Sequence, residues 1–351
     1  MQRSSQRLAE GLVRGGARVT ILTTEPVTTS RLFPRVERAP GKPTIVRFPW
    51  PTGWHYTLAE LAFYARAALW LLLHAQEWRT LQGVYAPTCG ALAVLAGLLL
   101  HRRSVVRLAS AGPPGDMATV ARHPARSAIE ALLRRADVIV CPGREIVGEV
   151  AAIGVSRARI LHLPNGVDAE VFRPAAPPVT VERVLAATRF GKGKNLDLLL
   201  EAWALVERAR PLATLAIAGD GPEAPRLRER IRALELRRVE LLGVRADMPE
   251  LYRSAAVFVL PSTAEGLANA LLEAMASGLA CVATDIDANR EALGDTGVLV
   301  APEAEKLAAA LATLLADPTR AQALGRAARA RIQEVFALET MVARYARLHS
   351  R

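Results

Sequence analysis

The chain has 351 residues, 51% of them hydrophobic and 5% aromatic, more than one core usually organises, so two domains of helices on buried parallel strands are expected. That composition excludes a disordered chain and an all-β one. The formal charge of +11 is unevenly placed, with 21 Arg and Lys against 12 Asp and Glu in residues 1–170 and 24 against 22 in residues 171–351.

An excess of this kind in one half suits an anionic partner, whether a membrane surface, a phosphorylated acceptor or nucleic acid, and equally suits plain solubility. No aromatic-interleaved basic patch accompanies it, so nucleic acid is not expected as a partner. Three scattered cysteines, Cys89, Cys141 and Cys281, form neither a disulfide framework nor a zinc spacing, and a cytoplasmic location follows as the default.

The opening residues, MQRSSQRLAEGLVRGG, lack the apolar core of a signal peptide and read as a helix. From residue 19, short β-branched runs alternate with helical stretches, the pattern of βαβ units. Strands are predicted at 19–23, 44–48, 84–86, 105–108, 138–141 and 160–163. The most apolar helical stretches, 58–73 and 91–100, fail as membrane spans: Glu60 and Arg66 interrupt the first, and the second is short of the ~20 residues a crossing needs. Both read as buried or surface-docked helices.

The run LPNGVDAEVFRPAAPP, residues 163–178, carries Pro, Asn-Gly and Pro-Pro signals of a linker or crossover. A second strand series follows at 184–187, 214–218, 239–242, 257–260, 280–284 and 297–300. A helical tail over 321–349 has no strand after it and is expected to return to the first domain. The fold class is therefore α/β, two doubly wound Rossmann-like domains facing each other across a cleft, with ligands at the carboxyl ends of the strands. The domains are expected at 1–165, rejoined by a helix at 338–351, and at 166–337.

Chemistry concentrates in the second series. After strand 184–187 comes TRFGKGKNLDLLLEAW, in which Arg189 and Lys194 lie on a glycine-containing turn feeding a helix near Asn195. A strand end, two cations and a helix start make an anion site suited to a diphosphate. In AGDGPEAPRL, Gly219, Gly221 and Ala224 satisfy a GxGxxA dinucleotide fingerprint. The next strand, however, runs into Gly243, Val244 and Arg245 instead of an acid, and Glu240 lies at the wrong end, which argues against a nicotinamide site.

In PSTAEGLANALLEAMASG, residues 261–278, Glu265 stands in the loop after an apolar strand and Gly266 admits close backbone approach to a ligand. A helix is predicted from about Leu267, through Asn269, to a stop at Gly278. Glu273 falls two turns into it. A single Glu at a helix start is usually a dipole partner and one inside a helix is usually solvated. Two carboxylates recurring beside a cation pair at a sheet's ligand edge favour a site instead.

Taken in order, R-F-G-K-G-K, A-G-D-G-P, L-G-V-R-x-D, L-P-S-x-x-E-G, an E-x7-E pair and E-A-M-A-S-G resemble the donor-binding domain of family 4 glycosyltransferases over roughly 110 residues. The resemblance implies a retaining, nucleotide-sugar-dependent enzyme of the GT-B fold. Arg189 and Lys194 would neutralise the diphosphate of a UDP- or GDP-linked donor. Glu265 would hold sugar hydroxyls and Glu273 the ribose, while backbone amides of Gly266, Leu267 and Asn269 would cap the phosphates. Gly219 and Gly221 count among the donor-binding positions.

The same resemblance implies an oxocarbenium-like transition state, a diphosphate leaving group stabilised electrostatically, and neither metal nor cofactor. The triplet Asp285, Ile286, Asp287 is read as a loop variant and not as a metal site. The acceptor would be a saccharide or lipid-linked sugar of a cell-envelope polysaccharide, with peripheral association at the inner membrane surface through the basic half.

In the first half the resemblance rests on ARVTILTT, SVVRLASAGPPGDM, RRADVIVCPGREI and LPNGVD. The family's histidine near strand 105–108 is missing, and Ala109 and Ser110 stand there. His101 and His123 are not substitutes for it, and His162 reads as structural. The family also opens with an apolar strand and a Gly-Gly loop, whereas these residues begin at the helix after that loop. We therefore expect strands 19–23 and 84–86 to flank an unfilled position, corresponding to about 15 to 25 further residues. The alternative reading is a catalytically impaired nucleotide-binding remnant.

Overall fold

The computed structural model describes residues 3–27, 34–51, 56–113, 115–177 and 181–350. In the carboxyl half, strands β8 (Arg183–Ala187), β9 (Thr214–Ala218), β10 (Val239–Gly243), β11 (Val257–Leu260), β12 (Ala280–Thr284) and β13 (Val298–Val300) form one all-parallel sheet in the order β10-β9-β8-β11-β12-β13. Its central strands are short apolar runs buried on both faces, as parallel strands between helix layers must be. Side chains alternate between two cores: Leu185, Ala216 and Phe258 enter one, while Val184, Ala186, Ile217 and Val257 enter the other. Helices α10 (Asn269–Ala276) and α13 (Pro318–Val335) cover the first face, and α7 (Leu196–Ala209) and α12 (Ala304–Ala316) the second. The remaining helices here are α8 (Ala224–Ala233), α9 (Met248–Arg253) and α11 (Asp287–Leu293).

The amino half contains two sheets. One has the order β1-β3-β2, from β1 (Thr20–Val27), β2 (Arg35–Glu37) and β3 (Thr44–Pro51), and the other has the parallel order β4-β5-β6-β7, from β4 (Thr80–Val84), β5 (Arg103–Arg107), β6 (Val138–Cys141) and β7 (Ile160–His162). β1 and β4 are each the end of their sheet, and no strand among the described residues pairs along those edges. Helices α1 (Arg3–Arg14), α2 (Tyr56–Leu73), α3 (Ala91–Leu100), α4 (Asp116–Arg122), α5 (Arg126–Leu133) and α6 (Arg144–Ala152) pack around these strands.

Several expectations are corrected. The third strand ends at Val84, because Tyr85 turns to φ 82° and residues Ala86–Gly90 coil into a wide helical turn. The short antiparallel β2 was not anticipated. The tail is two helices, with α14 (Leu338–Ser350) set off from α13 at Phe336–Ala337. α14 packs on α1, where Leu8, Leu12, Met341 and Tyr345 share a core with Val105 and Val140 of the β4–β7 sheet. The two chain crossings between the halves run side by side: Val167 N donates to Phe336 O (2.9 Å) and Leu338 N to Val167 O (3.1 Å).

Candidate functional site

Beyond β8 the chain turns through Thr188–Asn195. Phe190, 2% exposed, anchors the turn, Lys192–Lys194 form one helical turn, and Asn195 adopts the left-handed conformation (φ 48°) before α7. The adjacent turn after β9 lies directly against it. A Cβ at Gly219 (φ 138°) would stand 1.8 Å from Thr188 O, and one at Gly221 would stand 2.4 Å from Phe190 O. Only glycine permits this backbone-on-backbone contact. The two glycines thus brace the loop that bears Arg189, and the contact they allow is to protein. The Arg189 side chain is exposed and has no hydrogen-bonding or ionic partner among the described residues.

The Pro261–Ala268 loop after β11 is tied to that turn, since Thr263 N donates to Gly193 O at 3.0 Å. The connection brings Lys194 Nζ to 2.7 Å from Glu265 Oε1, with both side chains largely shielded from solvent. α10 starts at Asn269, two residues after the predicted start, because Ala268 is extended (ψ 110°). Leu267, 4% exposed, belongs to the loop and its side chain to the core. Gly266 again explains itself by chain contact: a Cβ there would lie 2.5 Å from Ala109 O, and one at Gly143 would lie 2.1 Å from Gly266 O. Loops of the two halves therefore interlock at the backbone, where the sequence suggested approach to a ligand.

The Ala109–Ser110 side of this contact is fixed by Asp116, whose carboxylate accepts from the N–H groups of Ala86 (2.9 Å), Ala109 (3.0 Å) and Ser110 (3.0 Å). Burial pushes this carboxyl above its usual range, against the opposing pull of those donors. Sequence reasoning missed Asp116; the Gly-Asp step at the start of α4 was its only signal. Asn165, in the Asn-Gly turn, was likewise read only as a loop residue. It accepts from Arg107 Nη2 at 2.7 Å and donates to Leu267 O at 3.2 Å, which couples a buried guanidinium of the amino half to the loop beside Glu265.

Glu273, 6% exposed, turns toward α1. Arg7 Nη1 donates to its Oε1 at 3.1 Å and Tyr252 Oη to its Oε2 at 3.2 Å, and the Arg7 guanidinium also stacks 4.8 Å above the Phe172 ring. Of the four expected crevice residues, Lys194 and Glu265 are in contact and Arg189 shares the turn with Lys194. Glu273 is engaged by Arg7 of α1 and by Tyr252.

A second seam joins β7 and α6 to α11. His162 Nε2 is 2.7 Å from Glu291 Oε1, and Arg144 N donates to Glu291 Oε2 at 2.8 Å. Burial opposes ionisation of Glu291, but His162 and the Arg144 N–H hold its carboxyl below the usual range. Asp285 and Asp287 are both engaged by Arg290, at 2.7 and 2.9 Å. Among the described residues no group of three His, Cys, Asp or Glu could hold a metal. A cavity of about 240 Å³ lined by Val181, Tyr252, Leu279 and Arg326 opens at the amino ends of the strands, on the opposite edge from these loops.

Parallel sheets in two halves, with the loops from their carboxyl edges turned toward each other, define the GT-B fold, and solved structures agree. Sucrose-phosphate synthase from Thermosynechococcus elongatus superposes with a TM-score of 0.80 at 23% identity, over 99% of this chain and 92% of that one. HepE of Anabaena, in complex with UDP and glucose, gives 0.75 at 21% identity, over 88% and 86%.

The model described as glycosyl transferase 4-like domain matches residues 1–166, and that described as glycosyl transferases group 1 matches residues 182–317. The chain belongs to the family 4 glycosyltransferases. Alpha-maltose-1-phosphate synthase of Mycolicibacterium smegmatis is 29% identical over 79% of this chain and 78% of its own length. A GDP-mannose-dependent monoacylated phosphatidylinositol monomannoside mannosyltransferase of Corynebacterium glutamicum is 32% identical over 51% and 53%. An exopolysaccharide phosphotransferase of Streptomyces coelicolor is 34% identical over 50% of this chain. The chain spans only 19% of that last relative and about half of several others.

Proposed function

We propose that this protein transfers a sugar from a nucleoside-diphosphate donor, UDP- or GDP-linked, to a saccharide or lipid-linked acceptor of the cell envelope, with retention of anomeric configuration. The observation that carries the reading is the Lys194–Glu265 contact at the carboxyl ends of β8 and β11, with the exposed Arg189 on the same turn. A diphosphate placed there meets two cations, which stabilise the charge that develops on the leaving group without a metal ion. Glu265 is set to accept hydroxyls of the transferred sugar. Glu273, held by Arg7 and Tyr252, would accept hydrogen bonds from the ribose.

In this reading residues 166–337 form the donor domain, with Gly219, Gly221, Gly266, Leu267 and Asn269 shaping its loops. Residues 1–165 and α14 form the acceptor side, which works from the cytoplasm at the inner membrane surface. The bound UDP of HepE and the lipid acceptor in the name of the Corynebacterium relative support donor and acceptor classes of this kind.

The test is a donor screen by thermal denaturation, followed by NMR of the product's anomeric proton. A true donor at a hundredfold its dissociation constant adds about 2.7 kcal/mol of stability. Absence of stabilisation by every UDP and GDP sugar, or a product of inverted configuration, overturns the proposal.

A further inference from the structure

Helices α2 and α3 lie side by side over one face of the amino half. Phe63, Ala67 and Trp70 of α2 pack inward with Val46 and Phe48 of β3 and Leu92 of α3. A solvent-facing helix normally turns polar residues outward, as α8 does with Arg226, Arg228 and Glu229. Here the outward positions are leucines. Leu61, Leu69 and Leu73 of α2 are 61%, 57% and 74% exposed, and Leu95, Leu98 and Leu99 of α3 are 43%, 43% and 67% exposed. Helical spacing places each set on one stripe. Single exposed leucines are ordinary, but two adjacent stripes are not.

Arginines bound the stripes at one end: Arg79 follows α2, and Arg134 and Arg135 follow α5, which lies beside α3. All three are exposed, as is Glu77 just before Arg79. We infer that this flank docks on an anionic lipid bilayer, with the leucines at the acyl boundary and the cations among the headgroups. Charge selects this occupant over a second copy of the chain, whose own arginines would meet these. No described helix is long and apolar enough to cross a membrane, so α2 and α3 lie in the plane of the surface. Each helix starts at the carboxyl edge of its strand, so the flank extends from the side of the cleft to the outer edge of the domain. A lipid-carried acceptor would then enter the cleft laterally. The inference deepens the peripheral-association reading above and does not depend on the donor chemistry.

The experiment is co-sedimentation of the full chain with phosphatidylglycerol–phosphatidylcholine vesicles and with phosphatidylcholine vesicles alone. Binding is expected only to the anionic vesicles and should weaken as salt rises. Leu69→Gln/Leu73→Gln/Leu99→Gln should abolish it, and Arg134→Gln/Arg135→Gln should weaken it roughly tenfold or more. Both variants should keep the parent's melting temperature and its stabilisation by donor. Equal partitioning of parent and variants, equal binding to neutral vesicles, or a dimer in light scattering that the leucine substitutions dissolve would overturn the inference. Vesicle binding without donor stabilisation would count against the donor site alone.

Discussion

Glu265 and Lys194 are 71 residues apart in sequence and 2.7 Å apart in space, yet both were legible, because each sits in a strand-loop-helix step whose chemistry is local. Removing the cation tests the leaving-group role. Lys194→Ala forfeits a charge-assisted bond of about 1.5 to 3 kcal/mol, so turnover should fall roughly tenfold to a hundredfold, and more than donor affinity. Unchanged turnover in steady-state assays would contradict the role. Arg7, Asn165 and Asp116 were not legible for the converse reason. Arg7 meets Glu273 across 266 positions, and Asp116 serves amides on three separate backbone positions. No local pattern encodes such partners, and Arg7 reads as one of many surface cations.

Among the elements, the carboxyl-half strands were read within a residue because buried parallel strands are continuous apolar runs bounded by turns. The amino half was harder. β2 is three residues with charged ends, and the break between α13 and α14 contains neither Gly nor Pro. α14 offers a pH test of its docking. His349 lies between Gln82 and Arg103, and burial followed by the Arg103 charge holds its pKa down from 6.5 to about 4. Between those values the unfolded chain takes up the proton and the folded chain resists it. Stability is therefore complete above pH 6.5 and declines as pH falls toward 4, by at most about 3 kcal/mol. Denaturant melts of the parent and His349→Gln from pH 7 to 4 should show this decline in the parent and its attenuation in the variant. Parallel pH profiles would show that the histidine is not held this way.

On the scale of the whole molecule, the two halves meet at interlocked backbone loops. Gly266→Ala would drive a Cβ into Ala109 O, and the nearest atoms, of Ala109 and Ser110, are backbone, which cannot swing aside. We expect a loss of roughly 1 to 3 kcal/mol and a more open molecule, seen as a lower melting temperature and a larger radius of gyration in small-angle scattering. A variant with unchanged melting and scattering would mean that the halves do not sit this closely in solution. The return of α14 to α1 bears on how such a chain is made. The ribosome must finish the entire donor half before α14 emerges, so Leu8 and Leu12 wait without the helix that covers them. The donor half, continuous in sequence from β8 to α13, can close first and then present α14 to the amino half. The half that is synthesised first is thus the one completed last, and a chaperone has the longest opportunity to act on α1.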